Sequence, residues 1–141
     1  SSWMEGTVRT FHEDAHELIP GLMERMANDV AAAFGCTAKL TYENAHSTVV
    51  NEAAASERAM HATREVLGED ALVRYQGSMP GEDFSEYLKR VPGAFAFLGS
   101  GTADPNGKVW PQHSCFYDPD ESVLVRGSML AAQYAVDFLA E

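Results

Sequence analysis

The chain has 141 residues, 45% of them apolar and 22% charged, which is typical of one globular domain or two small ones and excludes a disordered or fibrous protein. Its net charge of −11 argues against nucleic acid or an anionic membrane as a partner. No apolar run approaches the roughly 18–20 residues that span a bilayer. Two cysteines are too few for a disulfide framework, so we expect a reducing, cytoplasmic setting. No signal peptide is recognisable, and because the first residue is not Met, we expect the chain to begin within a longer protein.

Residues 3–50 have the pattern of a β-α-β unit. Alternating residues predict strands over 6–11 and 37–43, and a helix with a capping-box spacing lies between them. Pro20 indicates that this helix either starts there or is kinked, and Gly35 predicts its end. One face of the helix carries the apolar residues Leu18, Leu22, Met26 and Val30. Two strands and one helix make a thin core, so this segment needs a partner sheet.

Residues 51–141 have the order α-β-α-β-α, which predicts a parallel or mixed sheet covered by helices. Helices are predicted over 52–67 and 82–90, strands over 71–75 and 94–98, and a last helix with Asp118 as its N-cap. The fold class predicted for the chain is therefore α/β.

In an open α/β sheet, ligands bind beyond the carboxyl ends of the strands. Two loops leave such ends, residues 76–83 and 99–117, and the second carries His113. A neutral imidazole is a common metal ligand, although a loop histidine at the surface is the more frequent case. Glu82 and Asp83 fit either a helix start or a site that faces substrate.

Other candidates have weaker support. Arg9, in a predicted strand, could bind a carboxylate through two hydrogen bonds or could form a local surface ion pair. Asn51 fits a hinge or a turn cap. His113 and Cys115 could offer two ligands, but a single pair is weak support for a metal site. His12 and His16 are spaced i,i+4, but that spacing begins before the predicted helix is secure. A catalytic zinc needs at least three protein ligands, and the chain offers no complete set.

Four short motifs occur in one order along nearly the whole chain. They are residues 6–11 (GTVRTF), 81–85 (GEDFS), 92–99 (PGAFAFLG), and His113 followed by Phe116, Asp118 and Asp120-Glu121. This series resembles the C-terminal part of the M20 metallopeptidase family, in particular the amidohydrolase branch with hippurate hydrolase, N-acyl-amino-acid amidohydrolases and the plant auxin-conjugate hydrolases.

The resemblance implies a two-part architecture. Residues 1–50 would be the second β-α-β half of a ferredoxin-like lid or dimerisation domain, and residues 51–141 the C-terminal portion of an aminopeptidase-like α/β catalytic domain. Members of the family hold one or two divalent metal ions, often zinc, manganese or nickel, and a metal-activated water attacks an amide carbonyl. Of the family's metal ligands, only His113 maps onto this chain. Arg9, Gly81 and Asp83 map near the substrate, and no catalytic residue falls within the chain.

The resemblance thus predicts the C-terminal fragment of a zinc- or manganese-dependent amidohydrolase or peptidase. Its substrate would be an N-acyl-amino acid or peptide, its partner a second copy bound through the lid, and the fragment alone would be inactive. The alternative is a non-enzymatic interaction or assembly module derived from a truncated hydrolase. A small stand-alone hydrolase that uses Glu82, Asp83 and His113 is a weaker possibility.

Overall fold

The computed structural model describes residues 1–140, whose regular structure is helical. The helices are α1 (Glu13–Ala33), α2 (Ala53–Leu67), α3 (Ser85–Leu88) and α4 (Ser122–Ala140), and a 3₁₀ turn (Glu69–Ala71) follows α2. No strand is assigned among residues 1–140, and β pairing there is limited to two isolated antiparallel bridges, Gly101 with Pro119 and Ala103 with Val109.

The chain divides into two compact units. The first comprises Ser1–Val50 and Gln76–Pro92, and the second comprises Asn51–Tyr75 and the residues from Gly93 onward. The segment 76–92 therefore groups with the N-terminal residues. The identification of residues 1–50 as part of a lid and of residues 51–141 as part of a catalytic domain stays a prediction.

The four predicted strands are not formed within the described residues, and this part of the sequence analysis was wrong. A strand exists only where a neighbouring strand accepts and donates its backbone hydrogen bonds. Residues 71–75 and 94–98 do approach each other, because the rings of Tyr75 and Phe97 lie 5.1 Å apart, but they meet through side chains. Asn51 instead makes the kind of hydrogen bonds that a neighbouring strand would make. Its side chain accepts from the N–H of Phe95 and donates to the C=O of the same residue, both at 2.8 Å.

Helix α1 confirms the predicted helix of the first unit but not its buried face. It begins before Pro20 and runs through that residue, and Gly35 follows its end with a φ of +66°. The side chains expected to be buried are mostly exposed, namely Leu18 (60%), Met26 (62%) and Val30 (59%). A helix of this amphipathic kind buries its apolar side only against another element. The described part of the chain does not supply enough of that cover.

Helices α2 and α4 pack on each other and form the main core of the second unit. The predicted helix 52–67 is confirmed, since Glu52 caps α2 by accepting from the N–H groups of Ala54 (3.0 Å) and Ala55 (2.7 Å). These backbone hydrogen bonds, with Ala55 first, lower the pKa of the Glu52 carboxyl. The small residues Ala55 and Ala62 are almost completely buried, and α4 contributes the buried Val123.

Polar contacts fix the register of the two helices. His61 Nδ1 donates to Asp137 Oδ2 (3.1 Å), and Gln133 Nε2 donates to Asp137 Oδ1 (2.7 Å). These two hydrogen bonds lower the pKa of the Asp137 carboxyl. The Arg58 guanidinium donates to the hydroxyl of Tyr134 (3.2 Å) and lies 5.1 Å from the ring centre of Phe138.

The start and the polarity of α4 differ from expectation. Asp120, and not Asp118, caps the helix, because its Oδ1 accepts from the N–H of Ser122 (2.9 Å). Residues Ser122–Ala140 are also long and apolar enough to cross a membrane by length and composition, with a mean hydropathy of 1.2. The sequence analysis found no such stretch because Arg126 and Asp137 interrupt it. One helix of this kind is weak support for a membrane span.

The amount of exposed surface is the strongest physical feature of the chain. It exposes 11384 Å², whereas two separate compact domains of half its mass each would expose about 8,700 Å² together. Large apolar side chains account for part of the excess, including Met4 (97%), Leu139 (82%) and Val73 (82%). The described residues therefore bury less apolar surface than independent domains of this size usually do.

We expect Ala62→Leu to destabilise the second unit, because the larger side chain would have to enter the contact between α2 and α4 at a position that is 1% exposed. Overpacking of this kind costs about 1–3 kcal/mol. Urea denaturation followed by far-UV circular dichroism would measure the loss. The matched control is Ala132→Leu at an exposed position of α4, which should change the unfolding midpoint little. Equal midpoints for the two variants would contradict the described packing.

Candidate functional site

Two of the three residues predicted to contact substrate, Arg9 and Gly81, lie against each other in the first unit. The guanidinium of Arg9 lies against Gly81, so that a Cβ built on this glycine would be 3.5 Å from Arg9 Nη2. Gly77 lies against the ring of Phe11 in the same way, at 3.2 Å from Cε1. The loop 76–82 therefore runs along residues 9–11. A Cβ at position 81 would make an ordinary van der Waals contact with the guanidinium.

The charged side chains of Arg9 and Asp83 have no partner in the first unit. Both side chains are exposed. Neither makes a hydrogen bond or an ion pair with any of residues 1–140. An exposed guanidinium without a carboxylate partner can bind a planar anion through two parallel hydrogen bonds.

Short helix α3 fixes the end of this loop. The Glu82 carboxylate accepts from the N–H of Phe84 (3.1 Å), and the hydroxyl of Ser85 donates to the C=O of Glu82 (3.0 Å). Ser85 is 1% exposed, which explains why its hydroxyl is paired. The predicted helix over 82–90 is thus confirmed only for Ser85–Leu88. Glu82 thus holds the residue that precedes α3, while the Asp83 carboxylate stays outside these bonds.

His113 lies in the long loop of the second unit, and its backbone is unusual. Its φ is +68°, and no other non-glycine residue among residues 1–140 has a positive φ. The N–H of Ser114 donates to the C=O of Pro111 (3.2 Å), so His113 occupies the third position of a turn where glycine is preferred. A non-glycine residue in the left-handed region costs of order 1–3 kcal/mol of folding free energy, and such residues concentrate at functional sites.

The His113 ring is exposed and makes no hydrogen bond or ion pair with the described part of the chain. Both ring nitrogens are therefore accessible to a ligand. Among residues 1–140, however, no group of three or more His, Cys, Asp or Glu side chains is placed to hold a metal ion. One imidazole fits a metal as a single ligand, but the described residues do not make a closed or catalytic site. Cys115 is a free, exposed thiol and belongs to no group of three ligands among these residues.

Several hydrogen bonds that the sequence analysis did not predict close the loop around His113. Its base is closed by two backbone hydrogen bonds, from Thr102 to Asp118 (3.0 Å) and from Asp120 to Ser100 (2.7 Å). Asp104 organises a tight turn inside it. This carboxylate accepts from the N–H of Lys108 (3.0 Å) and from the indole N–H of Trp110 (3.1 Å), and these bonds, with Lys108 first, lower its pKa.

Sequence reasoning missed Asp104, although a signal was available. The run Asp-Pro-Asn-Gly at 104–107 is typical of a tight turn. The pairing of His61 with Asp137 left no comparable signal, since the two residues are far apart in the chain and meet only when α2 packs on α4.

The comparisons with known proteins bear on this geometry. Residues 3–137 match the family described as "Peptidase family M20/M25/M40". The chain belongs to this family. The resemblance seen in the sequence is thereby confirmed at the level of the M20 family, which supports an α/β hydrolase-like fold for the family as a whole.

Several curated relatives are similar along almost the whole chain. The N-acetylcysteine deacetylase of Bacillus subtilis is 34% identical over 133 residues, which is 94% of this chain and 33% of the relative. Thermostable carboxypeptidase 1 of Saccharolobus solfataricus is 28% identical over 136 residues (96% and 34%). The N-acetyldiaminopimelate deacetylase of Brevibacillus brevis is 29% identical over 133 residues (94% and 34%). This M20 chain thus spans about a third of the length of the relatives it matches, and no solved structure matches it significantly.

We expect the backbone at position 113 to favour glycine. Because L residues are strained at a φ of +68°, His113→Gly should be more stable than His113→Ala by about 1 kcal/mol. Urea midpoints of the two variants test this. The same pair at His46, whose φ is not positive, serves as the control and should show no advantage for glycine. Equal stabilities at position 113 would contradict the left-handed turn.

Proposed function

We propose that the chain is the C-terminal part of a metal-dependent amidohydrolase or peptidase that hydrolyses N-acyl-amino acids or related amides. The single observation that carries the proposal is the presentation of His113 in a chain that matches the M20 family from residue 3 to residue 137. Its positive φ distinguishes His113 from the other exposed histidines, and backbone conformations of this kind concentrate at functional sites, which supports a role as a metal ligand.

The metal would be zinc or manganese, with one or two ions in the complete enzyme, and the M20 family is generally dependent on divalent metals. Such an ion polarises an amide carbonyl and activates water. The role of this chain would be to supply one imidazole nitrogen from His113. Because the described residues offer no set of three ligands, the chain by itself should not hydrolyse amides.

Substrate binding is assigned to Arg9, Gly81 and Asp83. The Arg9 guanidinium would bind the carboxylate of the acylated amino acid, which suits its exposure and its lack of an ion-pair partner among residues 1–140. Gly81 would line the same site, because its backbone lies against that guanidinium. The relatives named as deacetylases act on N-acetylated amino acids, which supports this substrate class.

The proposal extends to the localisation and the oligomeric state of the enzyme. A cytoplasmic enzyme that forms a homodimer through the lid would be consistent with the acidic composition and the exposed apolar face of α1. Nucleic acid and membranes are not proposed as partners. The relatives are named as enzymes, so a non-enzymatic assembly module is not favoured.

Zinc should bind weakly to the isolated chain and should do so at His113. Titration with Zn²⁺, followed by NMR of the five histidine rings, should move the His113 signals first. His113→Gln should remove that response, because the amide lacks an imidazole nitrogen. His46→Gln, at another loop histidine, should leave it intact. A zinc response that survives His113→Gln would overturn the assignment of the ligand.

A further inference from the structure

The ring of His113 makes no hydrogen bond within the described part of the chain, so the loop backbone sets its Cα position and its Cα–Cβ direction, while the ring can rotate about χ1 and χ2. A metal ligand has to be held within about 0.5 Å of its productive position. The loop that carries His113 has a specific device at its neck. The rings of Trp110 and Phe116 lie 4.9 Å apart, which brings the two ends of the stretch 110–116 together with His113 between them.

Trp110 is in turn held by Asp104. The two carboxylate oxygens of Asp104 have different partners: Oδ2 accepts from Trp110 Nε1 (3.1 Å), and Oδ1 accepts from the N–H groups of Asn106 (2.9 Å) and Lys108 (3.0 Å). The backbone of the same turn is closed from Asp104 N to Lys108 O (2.9 Å). One carboxylate thus joins a rigid turn to the indole at the neck of the His113 loop.

A cation completes the arrangement. Lys108 Nζ lies 3.3 Å from the centre of the Trp110 ring, where a cation is attracted by the ring electrons. The indole is therefore fixed at its N–H by Asp104 and over its face by Lys108. An indole held at two points can orient the ring of Phe116 and, with it, the path of the chain through His113.

We propose that Asp104 is a positioning residue for His113, acting through Trp110 and Phe116. It touches neither a metal nor a substrate. It holds the neck of the loop so that the turn at Pro111–Ser114 presents the imidazole. This inference rests on the proposed function, in which His113 is a ligand, and it adds a residue that acts at a distance from that ligand.

Two substitutions remove the same hydrogen bond from opposite ends. Asp104→Asn keeps an acceptor oxygen for the turn N–H groups but places an amide NH₂ opposite the indole N–H. Trp110→Phe removes the N–H and keeps a ring beside Phe116. The control is Asp70→Asn, which removes a negative charge from an exposed carboxylate in the 3₁₀ turn of the same unit.

The measurements use the whole 141-residue chain. The first is the three-bond coupling between the amide and Hα protons of His113, which reports its φ. The second is the Zn²⁺ concentration that half-saturates the His113 ring signals. We expect Asp104→Asn and Trp110→Phe each to shift the coupling. The Zn²⁺ concentration at half-saturation should stay within about twofold, because a single exposed imidazole binds zinc equally well wherever the loop places it. The double variant should shift the coupling no more than either single variant.

The outcomes separate the two proposals. If neither variant changes the coupling, the positioning role is wrong. If Asp70→Asn shifts the coupling as much as Asp104→Asn, the effect is one of charge, and the positioning role is again wrong. If zinc never perturbs His113 but both variants shift its coupling, the positioning role stands and the ligand role fails. Should Asp104→Asn not fold, Trp110→Phe decides alone.

Discussion

A backbone segment becomes a strand only when another segment pairs with its N–H and C=O groups, and an apolar helix face is buried only when something covers it. Both requirements go unmet over much of this chain. Residues 6–11 have the composition of a strand but are assigned none, and the face of α1 that carries Met26 stays exposed. The exposed area exceeds what two compact domains of this mass would show. This exposed apolar surface supports the proposal that the chain packs against further polypeptide.

The three longer helices, which depend on local sequence, were predicted correctly, although the cap at Asp118 and most of the helix over 82–90 were not. The strands, which depend on a partner, did not form. Helix α2 was predicted correctly because Glu52, the alanine stripe and Gly68 are local signals, and the face with Ala55 and Ala62 is covered by α4. The strand pattern over 94–98 is equally clear in the sequence. Its neighbour in the structure is the side chain of Asn51, which periodicity could not reveal.

The candidate site likewise has features that the sequence predicts and features that only the folded chain shows. The motif order placed the chain in the M20 family, and the family match confirms it. The sequence also singled out His113, but not the reason for its presentation. The positive φ at this residue and the link from Asp104 to Trp110 arise from hydrogen bonds within the loop. The contact of Arg9 with Gly81 needs the loop 76–82 to lie along the N-terminal residues, and only the structure shows it.

The most direct measurement of the central claim is reconstitution of activity. The purified chain would be mixed with a polypeptide that covers the two thirds of the Bacillus subtilis deacetylase that this chain does not match. The mixture would contain Zn²⁺ or Mn²⁺. The assay would follow the release of free amino acid from N-acetylated amino acids. The account predicts no release by the chain alone, release by the mixture, and none when His113→Gln replaces the wild-type chain. Turnover by the chain alone, or by the mixture with His113→Gln, would contradict it.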